Sequence, residues 1–160
     1  MATLWAPWRI DYVRKPKKIK GCIFCRASKK NYKGPVILKA KYSTVLLNIF
    51  PYNNGHLMAA PRRHVRDTRQ LNDVEMLDLY KTVDKAIVLL DKTLKPHGYN
   101  IGINLGKVAG AGIPGHLHIH IVPRWRGDTN FMPVISGAKV ISQSLKELQR
   151  QLTYVKPKTG

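Results

Sequence analysis

The sequence predicts an antiparallel α+β sandwich, and three observations predict it. Short runs rich in β-branched and aromatic residues are separated by turn residues. One long stretch repeats apolar residues every three or four positions, and the returns between these segments are short. At 160 residues and 44% hydrophobic content, the chain suits one globular domain large enough to bury a proper core.

Residues 1–41 read as an irregular basic arm, because Pro7, Pro16 and Pro35 discourage long elements. Tyr42 to Phe50 reads as a strand on its β-branched and aromatic content. Pro51 to Gly55 is turn chemistry, with Asn54-Gly55 supplying a positive φ, and His56 to Ala60 returns as a second strand ending at Pro61. A helix follows. Asn72 caps it, Glu75 completes a capping box, and Met76, Tyr80, Val83, Ile87, Leu90 and Leu94 form its apolar stripe. Asp78 with Lys81, and Asp91 with Lys95, are spaced for helical ion pairs, and Pro96-His97-Gly98 stops the helix. Two further strands, Tyr99–Leu105 and His116–Val122, flank a small-residue loop from Gly106 to Gly115. From Lys139 to Leu152, the spacing of Ile141, Leu145, Leu148 and Leu152 predicts a second helix. The expected organisation is a single domain over 1–160, with an arm at 1–41, a core at 42–135 and a C-terminal helix and tail at 136–160.

The charge is less ordinary. Lys and Arg number 28 against nine Asp and Glu, a net charge of +19. Twelve of these cations lie between Met1 and Lys41 against the single acid Asp11, whereas six acids fall between Asp67 and Asp91. Such a head attracts polyphosphate or nucleic acid, and a solvated surface in a very basic proteome has the same composition. No apolar run approaches the roughly 18 residues of a membrane helix. Met1 to Trp8 lacks the basic-then-apolar order of a signal peptide, so a soluble cytoplasmic protein without a membrane partner is expected.

Cys22 and Cys25 are the only cysteines, in Gly-Cys-Ile-Phe-Cys. A thioredoxin-like redox pair would open a helix after a strand, and this pair sits in a lysine-rich segment without that lead-in, which favours a metal.

The segment His116-Leu-His118-Ile-His120-Ile-Val122 holds three of the chain's six histidines within five residues. On a strand, His116, His118 and His120 point one way, roughly 7 Å apart, while Leu117, Ile119 and Ile121 point into the core. Two readings compete: metal binding by three imidazoles, and nucleophilic catalysis by one imidazole that its neighbours orient. The loop before it favours the second, because backbone N–H groups at Gly110, Gly112 and Gly115 can approach an anion closely. Apart from Asp128, no Asp or Glu lies between Lys92 and Glu147, so a carboxylate-held magnesium site or a carboxylate pair is disfavoured.

His116–Val122 matches, at every position, the alternating His–apolar signature of the histidine triad (HIT) family, and the chain resembles that family over nearly its whole length. Cys22-x-x-Cys25, Asn48–Pro51, Gly55–Pro61, His64 and Asn104–Gly106 fall in family order. Leu4–Arg9 and Pro123–Phe131 resemble the diadenosine tetraphosphate phosphorylase (ATP adenylyltransferase)-like branch.

That resemblance implies a HIT-like fold: an antiparallel sheet of about five strands, one long helix, a C-terminal helix and a two-fold homodimer. It implies that His118 attacks the α-phosphate of a dinucleoside polyphosphate to form a nucleotidyl-histidine, that His120 contacts the α-phosphate or leaving group, and that His116 completes the catalytic set. Asn48 would bond the ribose and Asn104 the phosphates, with Lys107, Gly110, Gly112 and His56 as further substrate-side candidates. His116 would also join Cys22, Cys25 and His64 as a ligand of structural zinc. Where many members carry Ser or Gln before the triad, this chain has Ala111-Gly-Ile-Pro-Gly115, which leaves water or phosphate open as the acceptor. A phosphoramidate hydrolase of the same fold and a zinc-stabilised nucleic-acid-binding protein are the alternatives, the second resting on the charge.

Overall fold

The computed structural model describes residues 21–128, 141 and 143–155. A short helix, α1 (Ile23–Ala27), is followed by β1 (Val36–Lys39), β2 (Ser43–Leu47) and β3 (Leu57–Pro61). A 22-residue helix, α2 (Asp73–Leu94), leads to β4 (Gly98–Ile103) and β5 (Ile119–Arg124), and α3 (Leu145–Tyr154) closes the described chain. The five strands form one antiparallel sheet in the order β1-β2-β3-β5-β4. Among the described residues no helix is long and apolar enough to cross a membrane.

Both faces of the sheet centre are covered, so every residue of β2 and β3 is buried. On one face Val45, Leu47, Leu57, Ala59, Ile119 and Ile121 meet Leu79, Val83 and Leu90 of α2 and Leu148 and Leu152 of α3. On the other, Leu46, Met58 and Ala60 meet Phe24 and Ala27 of α1. The register aligns Leu46, Met58, His120 and Gly102 in one row across the sheet, on the face away from α2. Gly55 has φ +76°, and a Cβ there would sit 2.6 Å from the Leu94 side chain, so this turn requires glycine.

The structure departs from the sequence reading in several places. The arm is not irregular throughout: α1 and β1 lie within it, and β1 is a four-residue edge strand with a bulge between Val36 and Leu38. The strand expected from Tyr42 to Phe50 is confined to Ser43–Leu47, and the one expected to Leu105 ends at Ile103. The ladder of β5 begins only at Ile119, so His116 and His118 precede it. On α2 the buried face includes Thr82, Ala86 and Leu89, and Tyr80 is 53% exposed. Burying Thr82 is possible because its hydroxyl donates to Ser43 Oγ at 2.7 Å, the Ser43 proton itself going to Asp78, which a stripe counted on hydrophobicity alone misses. The helical acids have other partners: Asp78 accepts from Ser43, and Asp91 from the Tyr99 hydroxyl. The last helix starts at Leu145, where Ser144 accepts from the Glu147 N–H as its cap.

The capping box of α2 forms as expected, with Asn72 and Glu75 bonded reciprocally. Glu75 also accepts two bonds from the Arg63 guanidinium, at 2.8 and 2.7 Å, tying down the loop beside His64. Arg63 above all, together with the Asn72 N–H, holds the Glu75 carboxyl well below its ordinary range, at about 2. A depressed folded-state value means the contribution to stability is present above about pH 4.5 and is lost as pH falls toward that value. Thermal unfolding of wild type and Glu75→Gln should therefore differ at neutral pH, the variant melting lower. The gap should close between about pH 4.5 and pH 2.

Candidate active site

The approach to β5 is where core and site are set by one stretch of backbone. The Leu117 N–H donates to the Val65 carbonyl at 2.6 Å, holding the chain extended before the ladder begins. Leu117, Ile119 and Ile121 enter the core as the alternation predicts, and the three histidines turn to the other face. His116 and His118 are 1% and 3% exposed. The His118 and His120 rings lean edge to face, with centroids 4.8 Å apart, closer than the bare two-residue rise.

Hydrogen bonds decide the tautomer of each ring. The His118 Nδ1–H donates to the His116 carbonyl at 2.8 Å, so Nε2 keeps its lone pair, and the ring lines the cavity beside it. His56 is read from its donors. The Tyr52 N–H, at 3.0 Å, and the Asn48 amide, at 3.2 Å, both approach Nδ1, which leaves the ring proton on Nε2. That proton is given to His120 Nδ1, 2.9 Å away, so His120 carries its own proton on Nε2. His120 Nε2 is buried and has no hydrogen-bond partner among the described residues. It is a donor without an acceptor there, beside the His118 ring. Burial lowers His118 from the ordinary histidine value, although the His116 carbonyl bond opposes it. Burial and then the neighbouring His118 bring His120 down to about 4. Both rings are therefore neutral at physiological pH.

The cavity has a volume of about 470 Å³, within the usual range for a small-molecule site. Its walls are largely apolar, from Ile23, Tyr32, Leu46, Ile49, Phe50 and Met58, with Asn48, His118 and His120 as its polar groups. An apolar slot ending in two imidazoles suits a flat ring joined to an anion.

Cys22 stands at the N-cap of α1 and Cys25 within it, His64 follows β3 and His116 precedes β5, yet their ligand atoms all lie within 4.8 Å of one another. His64 and His116 both present Nδ1, 3.1 Å apart, with the Cys22 and Cys25 sulfurs 3.1 and 3.6 Å from His116 Nδ1. A tetrahedral zinc with sulfur and nitrogen ligands has edges of roughly 3.3–3.8 Å, so the donor set fits. The His116 Nε2–H donates to the Pro61 carbonyl at 2.9 Å, which frees Nδ1 for a metal and fixes the ring.

The other expected site residues divide. Asn48 lines the cavity, but its amide oxygen already accepts the Phe50 N–H at 2.9 Å. His56 is fully buried behind His120 and does not line the cavity, so it supports His120 rather than reaching the pocket. Gly112 lines the cavity. The Gly110 N–H, expected to be available to an anion, is bonded to the Lys107 carbonyl in a turn, and Asn104 reaches the Gly110 carbonyl at 3.5 Å. Asn104, Lys107 and Gly110 stand outside the cavity wall. Leu4–Arg9, Asn130 and Phe131 lie outside the described residues.

Two aromatic residues were missed. Phe24, 1% exposed, stacks on the His118 ring at 4.9 Å and also meets His116 at 5.1 Å. Tyr52 packs on His56 at 4.7 Å and His120 at 5.6 Å. The signal for Phe24 was available: a large apolar side chain between two ligand cysteines in a segment otherwise rich in lysine.

The HIT domain family model matches residues 29–127. The chain belongs to the HIT, or histidine triad, family. It is 38% identical over 159 residues to AP-4-A phosphorylase of Mycobacterium tuberculosis, covering 93% of this chain and 81% of that protein. Over 93 residues it is 34% identical to the asymmetrical bis(5'-nucleosyl)-tetraphosphatase of Schizosaccharomyces pombe, covering 58% of this chain and 50% of that one. Among solved structures, a Zn-bound histidine triad family protein from Mycobacterium smegmatis superposes with a TM-score of 0.68. The two share 24% identity over 84% of this chain and 91% of that one, a likeness of fold. The five-stranded antiparallel sheet with its long and C-terminal helices is thus the HIT fold.

In this HIT domain, Phe24 is the wall that holds the His118 ring. Phe24→Leu should keep the fold while the His118 ring protons lose the aromatic ring-current shift and broaden. An unchanged His118 imidazole spectrum would show that Phe24 does not restrain the ring.

Proposed function

We propose that the protein is a nucleotidyl transferase or hydrolase that cleaves dinucleoside polyphosphates through a nucleotidyl-histidine intermediate. One observation carries the reading: the His118 Nδ1–H is bonded to the His116 carbonyl, leaving Nε2 as a neutral nucleophile in the cavity. One nucleoside occupies the apolar slot, and His118 Nε2 attacks the α-phosphorus in line. The P–N bond forms as the bond to the bridging oxygen breaks, and the nucleoside polyphosphate leaves with that electron pair. The His120 Nε2–H, without a partner among the described residues, would donate to an oxygen of the reacting phosphate as charge builds on it. Phosphate or water then attacks the same phosphorus, the P–N bond electrons return to His118 Nε2, and an attacking water gives up its proton to solvent.

The relative named AP-4-A phosphorylase supports phosphate as the acceptor, and the one named tetraphosphatase supports water. His56 and Asn48 support the reaction through His120, and Gly112 stands at the cavity wall. Asn104, Lys107 and Gly110 reach the substrate only if the loop they share closes over it.

Cys22, Cys25, His64 and His116 would hold zinc as a four-ligand structural centre. Bound there, the metal supplies no chemistry at phosphorus and clamps α1 to the approach of β5. Cytoplasmic location belongs to the same reading, because free Cys22 and Cys25 and a nucleotide substrate suit a reducing compartment. So does a two-fold dimer that continues the sheet, supported by the edge position of β4 and the 48% exposure of Ile101 on it.

With diadenosine tetraphosphate, His118→Ala should lower turnover by at least about a thousandfold while its circular dichroism matches wild type. Turnover near the wild-type rate would overturn the nucleophile assignment. In the wild type, ADP plus ATP in the presence of phosphate identifies phosphorolysis, and AMP plus ATP identifies hydrolysis. The purified protein should carry about one zinc per chain, and Cys25→Ser should lose it together with several degrees of Tm.

A further inference from the structure

A second surface, outside the histidine cluster, has an unusual charge distribution. No Asp or Glu occurs between Asp11 and Asp67, a stretch holding half of the chain's 28 Lys and Arg. The fold gathers part of that stretch on one face. The Arg62 guanidinium donates to the Ser28 and Lys41 carbonyls, both at 3.2 Å, and Lys39 Nζ donates to the Lys29 carbonyl at 2.7 Å. These bonds draw the loop after α1, the end of β1 and the end of β3 together, and they use carbonyls, so no charge is neutralised. The described ion pairs join Arg63 to Glu75, Arg69 to Asp67, Arg124 to Asp128 and Arg150 to Glu147. Lys29, Lys30, Lys33, Lys39, Lys41 and Arg62 are all exposed, and none has an acidic partner among the described residues.

Aromatic rings are interleaved with these cations. Arg26 lies over the Tyr32 ring at 5.6 Å and Lys41 over the Tyr42 ring at 5.1 Å. Tyr32 also lines the nucleotide-sized cavity, so the basic face runs up to its rim. A concentration of like charge with no internal counter-charge opposes compactness, and a bound polyanion relieves it. Cations alternating with aromatic rings suit a single strand, whose phosphates meet the cations while its bases stack.

We propose that this face, from Lys29 to Lys41 with Arg62, binds the sugar-phosphate backbone of single-stranded nucleic acid. It stands independently of the reaction assigned to His118.

The test is fluorescence anisotropy with labelled oligo-U and oligo-dT of about 20 nucleotides, at rising KCl, on the full chain. With about four phosphates neutralised, affinity should fall by about 50-fold between 50 and 200 mM salt. Changing Lys29, Lys30 and Lys33 together to Gln should cut low-salt affinity at least about tenfold and flatten the salt slope by about 2. A control with the same charge change on α2, Lys81, Lys85 and Lys92 to Gln, should bind within about twofold of wild type. Stronger binding of oligo-U than oligo-dT, or the reverse, tells RNA from DNA and supports the face in either case. Equal loss in both triple variants would show that only net charge matters and overturn the proposal. It is overturned equally by wild-type binding in the first variant, or by binding of inorganic polyphosphate without either oligonucleotide. Both variants change exposed side chains only, and an unchanged Tm confirms their folding.

Discussion

The six residues from His116 to Ile121 have to satisfy two environments at once, and the arrangement of the whole molecule follows from how they do it. Leu117, Ile119 and Ile121 are needed by the core beneath α2, and their alternation leaves the three histidines no other face. The bond from the Leu117 N–H to the Val65 carbonyl keeps this alternation going where the ladder has not yet begun. A slip of one residue would put imidazoles into the core and leucine into the cavity. Core packing is therefore what aims the proposed nucleophile. It is also why His118 can be buried without losing its orientation.

Burial has a chemical consequence at each ring. A desolvated imidazole resists protonation, so His118 keeps the lone pair that the proposed attack requires, and His120 stays neutral while presenting a proton. What distinguishes the two is the direction of their hydrogen bonds. His118 donates from Nδ1 to a carbonyl, whereas His120 receives at Nδ1 from His56, whose own tautomer is set by Tyr52 and Asn48. Two identical side chains two residues apart thereby present opposite groups, a lone pair and a proton, and the difference originates in the turn between β2 and β3.

Local pattern carried much of the fold and the centre of the site. The capping box at Asn72, the turn at Gly55 and the alternation through β5 each depend on residues close in sequence. What was not legible depends on partners far along the chain. β1 is a run of three apolar residues between Pro35 and Lys39 and becomes a strand only because β2 pairs with it. Thr82 is inside because Ser43, 39 residues away, bonds its hydroxyl. His56 bonds to His120 across 64 residues, and no spacing rule reaches that far. The Cys22, Cys25, His64 and His116 quartet, also far apart in sequence, could be expected from family resemblance alone, and the folded chain brings its ligand atoms together.

The glycine loop raises a last point about how charge is handled at the reacting phosphate. Gly110, the residue best suited by its left-handed backbone to expose an N–H, spends that group on Lys107. The chain also has no Ser or Gln just before the triad. With the Gly110 N–H engaged, the strand supplies a donor of its own. His120 Nε2, buried and without a partner among the described residues, is that donor, held on rigid structure by His56 and Tyr52. Leaving a buried donor unpaired costs about 1–3 kcal/mol in the free protein. That cost is recovered when an oxygen arrives, most fully when the oxygen carries the charge of the transition state. Phe24 acts behind His118 in the same way: on the proposed mechanism the attacking ring is held by packing as well as by its bond to the His116 carbonyl.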